Sequence, residues 1–117
     1  MKNTFILKKN YEFKRLFSNG KFYYGKCINF YVLFTSKNYK KFGIALNKKV
    51  GNAVKRNHIK RLIRENYKIY EENIKNGIFL LVVINKKKDV SDISYYDIKK
   101  DFNDFAQKSD IWKEKND

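Results

Sequence analysis

The run Phe79-Leu80-Leu81-Val82-Val83-Ile84 is apolar at every position. An amphipathic helix or a half-solvated strand would interrupt such a run at its own period, whereas a strand covered on both faces does not. The chain must therefore build a sheet with this strand at its middle and pack other elements onto it. Its 117 residues amount to about one domain. With 43% of its residues apolar and 17% aromatic, it can form a core rather than remain disordered.

The remaining elements follow from local pattern. Asn10–Asn19 places Tyr11, Phe13, Leu16 and Phe17 at helical spacing, with Asn10 as its cap and Gly20 as its stop. Lys21–Tyr24 reads as a short strand. Ile28–Thr35 (INFYVLFT) is β-branched and aromatic, and Phe42–Asn47 is a third strand. A long helix is predicted from Ala53 to about Ile74, with Gly77 behind it. The closing helix runs over Ser94–Gln107, capped by Ser94 with Asp97 in its first turn and buried along Ile98, Phe102 and Phe105. The expected order is α-β-β-β-α-β-α. This is an α/β (α+β) two-layer sandwich on a four-stranded sheet, forming one domain over 1–117 with a short, charged, flexible tail at 113–117. Before the first helix stands only a short apolar patch, Phe5, Ile6 and Leu7, too brief for a signal peptide. No apolar run reaches the roughly 18 residues of a membrane span. The single cysteine, Cys27, excludes an internal disulfide and fits a cytoplasmic protein, with a structural role for the thiol.

Charge narrows the function. The chain has 27 Lys and Arg against 12 Asp and Glu, a formal net charge of +15. A free small-molecule enzyme rarely carries so much uncompensated charge; the partner is a polyanion. Residues 1–36 contribute +6, residues 37–68 +10 and residues 69–117 −1. A membrane-surface protein would add an apolar face free to enter lipid, so no membrane partner is expected. Of the four arginines, Arg56, Arg61 and Arg64 fall within nine positions in a chain that otherwise uses Lys. A guanidinium fork grips phosphate in two-pronged fashion, which an ammonium cannot do.

These arginines lie in the helix from Ala53. With Arg56 at 0°, the residues Asn57, Lys60, Arg61, Arg64 and Lys68 fall between about 40° and 140°, while Ile59, Leu62, Ile63, Ile69 and Tyr70 fall between about 220° and 340°. One face packs on the sheet. The other carries an Arg56–Lys60–Arg64 row whose like charges repel one another. Ahead of it, Lys48, Lys49, Gly51 and Asn52 form a turn at a helix N-terminus, where anions are favoured. The G-x-x-x-x-G-K-[ST] spacing of a phosphate-binding loop is absent.

The stretch Gly51-Asn52-Ala53-Val54-Lys55-Arg56-Asn57-His58-Ile59-Lys60-Arg61-Leu62-Ile63-Arg64-Glu65, with Lys48-Lys49-Val50 before it, closely resembles the signature of the bacterial ribonuclease P protein component. Phe13 and Phe17 match that family's F-x-x-x-F, and Val32-Leu33-Phe34 matches its second strand. The resemblance covers nearly the whole chain. One departure stands out: the family's usual R-N-R reads Arg56-Asn57-His58, and a neutral imidazole lacks the fork.

The resemblance implies a ribosomal protein S5 domain 2-like fold with a left-handed β-α-β crossover, against the usual right-handed preference. It implies a protein subunit that assists a catalytic RNA. That RNA and its Mg²⁺ cut the 5′ leader from precursor tRNA, with one protein per RNA. Contacts to RNA are then expected from Lys48, Lys49, Asn52, Lys55, Arg56, Asn57, Lys60, Arg61, Arg64 and Lys68. A cleft for the single-stranded leader is expected at Phe13, Phe17, Phe34, Lys48 and Arg64. The residue inventory agrees with a non-catalytic protein. Residues 1–68 hold only Glu12 and Glu65 as acids, too few for a two-metal nuclease, and Cys27 with His58 cannot build a zinc site. A ribosomal or other structural RNA-binding protein is the chief alternative. A helix-turn-helix DNA binder fits less well, because strands precede the basic helix.

Overall fold

The computed structural model of the chain describes residues 3–47, 51–85 and 93–114. Five strands form one sheet: β1 (Thr4–Ile6), β2 (Lys21–Tyr23), β3 (Ile28–Phe34), β4 (Lys40–Ala45) and β5 (Ile78–Ile84), in the order β1-β4-β5-β3-β2. The helices are α1 (Asn10–Asn19), α2 (Ala53–Tyr70), continued by a 3-10 turn over Glu71–Asn73, and α3 (Tyr95–Lys108).

The apolar run occupies the central strand, as its composition demands. β5 pairs antiparallel with β3, from Ile28 opposite Ile84 to Phe34 opposite Ile78, and parallel with β4, from Lys41 opposite Phe79 to Ala45 opposite Val83. Its two faces are covered by different layers. Leu80 and Val82 pack with Ile59, Ile63 and Tyr67 of α2 and with Ile98, Phe102 and Phe105 of α3. Phe79 and Leu81 pack with Leu16 of α1 and with Leu7. The helical layer on α2 and α3 is thus matched by a single helix on the opposite face, and the expected sandwich gains that extra layer.

The fifth strand, β1, was visible in the sequence only as an apolar patch. It is three residues long, and it exists by pairing in parallel with β4, Thr4 opposite Lys40 through Ile6 opposite Phe42. Just beyond it Leu7 covers Gly43, where a Cβ would stand only 2.8 Å from the Leu7 side chain.

Helix ends differ from expectation in one respect. Asn10 is the first residue of α1, not its cap. Glu12 instead takes the N–H groups of Lys8 and Lys9 (3.2 and 3.1 Å) and pairs with the Lys41 ammonium of β4. Burial raises the Glu12 pKa, but the hydrogen bonds from Lys41, Lys9 and Lys8 outweigh it and hold the carboxyl below its ordinary value. At the other end the Gly20 N–H closes on Leu16. Ser94 caps α3 through the Asp97 N–H, and Asp97 returns the bond to Ser94, as the sequence predicts.

Three buried polar groups bind the layers together. Asp101 of α3, 3% exposed, accepts from the backbone N–H groups of Lys26, Cys27 and Ile28 at 3.1, 2.8 and 3.0 Å. Lys40 reaches the Glu71 carbonyl at the end of α2 (2.8 Å), and desolvation lowers its pKa. Tyr67 meets Thr4 at 3.5 Å, and burial pushes its phenol up to about 12. At the C-terminus Trp112 bridges to Ile74, and the Lys113 N–H bonds Asn73, so main-chain pairing continues into the first residue of the expected tail. Residues 115–117 lie outside the described residues.

Candidate nucleic-acid interface

Helix α2 begins where the sequence places it. Gly51 takes φ +73°, a left-handed conformation that side chains resist. Asn52 then caps the helix, its Oδ1 accepting from the Lys55 N–H at 2.9 Å. Asn52 was expected to touch RNA, but its side-chain oxygen is engaged in the helix start. Lys48 and Lys49 lie outside the described residues.

The two faces of α2 separate as the helical wheel predicts, with a small rotation. Ile59, Leu62, Ile63, Asn66 and Tyr67 are buried, whereas Ile69, expected on the packed face, is exposed. The packed stripe is therefore centred nearer Tyr67, and Ile69 falls past its edge. Opposite it, Lys55, Asn57, Arg61, Arg64 and Lys68 are exposed, with Arg56 and Lys60 half-buried. Among the described residues Lys60, Arg61, Arg64 and Lys68 make no ion pair. The repulsion along this row is left for an external anion to relieve.

Local contacts orient individual cations. Arg56 Nη1 donates to the Gly51 carbonyl at 2.7 Å, tying the guanidinium to the turn. Arg61 Nη2 lies 2.9 Å from His58 Nδ1. A guanidinium only donates, so Nδ1 accepts and the imidazole proton sits on Nε2. His58 thus steers its neighbour Arg61. Lys60 and Arg64 line a cleft of about 210 Å³ at the β1–β4 edge, over a floor of Ile6, Leu7, Phe42 and Ile44. Their stems can lie on apolar surface while the charged ends stay in solvent.

The aromatic residues fall into two groups. Phe13 and Phe17 stand on one flank of α1, with Phe13 half-buried and Phe17 47% exposed. Phe17 meets the Tyr31 ring edge-on at 5.0 Å, and Phe22 of β2 meets Tyr31 from the other side, also at 5.0 Å. Strand register carries this face across the sheet. Phe22 pairs with Tyr31 and Tyr31 with Leu81; in the next row Asn29 pairs with Val83 and Val83 with Ala45. Asn29, Val83 and Ala45 are half-buried, so α1 leaves this row partly open, at the ends of β4 and β5 that lead toward the start of α2.

Phe34, assigned with Phe13 and Phe17 to a leader cleft, is not brought to them. Alternation along β3 puts it on the α2–α3 face with Phe30 and Val32, and the Lys75 ammonium lies over its ring at 5.9 Å. Tyr31 occupies the place beside Phe17. Arg64 likewise stands with Lys60 at the β1–β4 edge rather than on the Phe13–Phe17 flank. Strand alternation puts Tyr31 on the opposite side of β3 from Phe34, and that alternation is the signal that could have identified it. Among the described residues no three His, Cys, Asp or Glu side chains come together as a metal-holding group. The chemistry these exposed cations and aromatic rings support is RNA binding.

A family model described as Ribonuclease P matches residues 1–110. The chain belongs to the ribonuclease P protein family. It is 36% identical over 111 residues to the ribonuclease P protein component of Natranaerobius thermophilus, covering 95% of each chain. It is 38% identical over 110 residues to that of Fusobacterium nucleatum, covering 90% of this chain and 96% of the relative. Among solved structures, the RNase P protein of Staphylococcus aureus superimposes with a TM-score of 0.81 at 26% identity, over 93% of this chain and 98% of the other. The Thermotoga maritima RNase P protein, at 21% identity and a TM-score of 0.76 over 89% and 96%, shares the fold. No helix among the described residues is long and apolar enough to cross a membrane.

Proposed function

We propose that this chain is the protein subunit of a bacterial ribonuclease P. In that role it binds the catalytic RNA and the single-stranded 5′ leader of precursor tRNA, and it assists removal of the leader. The observation that carries the reading is the half-open α1 face: Phe13, Phe17 and Tyr31 beside the row Asn29–Val83–Ala45, opening toward the basic start of α2. Single-stranded nucleic acid is held by aromatic stacking next to positive charge, and this face has both. A structural RNA-binding protein without a role in cleavage would need the charge but not the open aromatic flank, and the family match stands against it.

In this reading the protein contributes binding and positioning. The Arg56, Lys60, Arg61 and Arg64 side of α2 neutralises phosphates and displaces condensed counterions, which makes the affinity fall with salt. The α1 face holds the leader extended, so that the junction with mature tRNA is presented to the RNA subunit. Hydrolysis belongs to that RNA and its Mg²⁺. One protein per RNA, acting in the cytoplasm, completes the assignment.

The test is reconstitution with a bacterial ribonuclease P RNA and precursor tRNA at low Mg²⁺. Cleavage at the mature 5′ end should be strongly enhanced by the protein. No enhancement would reject the assignment to ribonuclease P.

A further inference from the structure

The contact from Tyr31 to Phe22 has no role in the site as described so far. Phe22 lies on β2, the last strand of the sheet, whose one neighbour is β3. It is 47% exposed, as Phe17 is, on the face of β3 that carries Tyr31. The three rings form a row. Tyr31 is the hub, and Phe17 and Phe22 each meet it at 5.0 Å with interplanar angles of 75° and 59°. Neither outer ring is stacked face-to-face on Tyr31, so apolar π-surface remains turned outward at the sheet edge.

The surroundings decide the kind of partner. Lys14, three residues before Phe17 on the same flank of α1, is exposed, and among the described residues it makes no ion pair; Lys21 leans over Tyr23 on the other face of β2. The one acid on α1 and β2, Glu12, is buried and committed to Lys41. An exposed aromatic edge beside Lys14, in a 36-residue stretch of net charge +6, is complementary to single-stranded RNA, and it repels a second copy of this basic chain.

We infer that Phe22, seated through Tyr31, extends the stacking surface to the edge of the sheet and takes leader bases distal to those at Phe13 and Phe17. The inference rests on the leader-binding reading above. The row Ala45–Val83–Asn29 lies toward the start of α2, and Phe22 is at the far edge. The extension therefore adds affinity only when a leader is long enough to reach it.

The experiment measures the affinity of the reconstituted holoenzyme for precursor tRNAs of increasing leader length, with wild type, Phe22→Leu and Phe22→Tyr. Leucine keeps apolar bulk without a π-face, and tyrosine restores the face. Phe22→Leu should lose about tenfold on long leaders, the stacking of one base, and match wild type on short ones. Phe22→Tyr should recover the loss. A 2-aminopurine at a distal leader position should be quenched by wild type and Phe22→Tyr, not by Phe22→Leu. If wild type gains affinity with leader length and Phe22→Leu follows it throughout, the extension is wrong while the leader-binding reading stands. An equal loss at every length, including no leader, also overturns the extension, because it marks a structural defect. If wild type is indifferent to leader length, the leader-binding reading fails and the extension with it.

Discussion

The two faces of the sheet use the same residue types for opposite ends. On the α2–α3 face the aromatic rings are closed over one another. Phe30 stacks on Phe105 at 4.2 Å and Phe42 on Tyr67 at 4.0 Å, and Phe102 meets Phe30 edge-on at 5.1 Å. On the α1 face Phe17 and Phe22 each meet Tyr31 without stacking on it and stay about half exposed. The difference lies in coverage. Two helices blanket one face, while a single ten-residue helix crosses the other. Burial turns an aromatic side chain into stability, and incomplete burial leaves it available for a ligand.

Substitutions can break this contrast. Phe102→Ala on the closed face should cost about 3–5 kcal/mol of unfolding free energy, read in a urea titration, because it opens a cavity between the rings of Phe30 and Tyr70. Phe17→Ala should cost far less stability but about 1–3 kcal/mol of leader affinity in a binding titration. If Phe17→Ala destabilises as much as Phe102→Ala, the α1 face is core and the contrast collapses. Glu12→Gln probes how α1 is fastened. Loss of the cap and the Lys41 pair should cost about 1 kcal/mol at neutral pH. The carboxyl is held below its ordinary 4.5, so its contribution is present above that value and lost as pH falls through the folded pKa. Unfolding curves of wild type and Glu12→Gln should therefore converge in acid. Arg61→Ala should leave stability unchanged and reduce the salt slope of RNA binding by about one. An unchanged slope would remove Arg61 from the phosphate contacts.

What the sequence revealed depended on how local each cause is. α2 was readable because Gly51, Asn52 and the apolar stripe Ile59–Leu62–Ile63 are signals within a few residues of the structure they make. β5 was readable because double burial is written into consecutive positions. β1 was not, since Thr4–Ile6 is a strand only through Lys40–Phe42, far along the chain. The same holds for Lys40 and Asp101. Charged residues read as solvated until a distant backbone carbonyl or three distant N–H groups supply the partner. In the site, the basic side of α2 was legible from period alone. The leader face was legible only in part: Phe34 followed the family pattern, whereas Tyr31 is placed beside Phe17 by the pleat and by the packing of α1.

The position of β5 also dictates an order of assembly. Among the described residues the strand order joins β1 only to β4 and β2 only to β3, and no pairing connects these halves except through β5. β5 begins at Ile78, after every residue of the basic α2 has been synthesised. A ribosome making this protein thus extrudes nearly all of its positive charge before the sheet can close. Contacts of such long sequence separation make for slow folding. Until six apolar residues arrive to join its two halves, the nascent chain carries that charge without a closed sheet behind it.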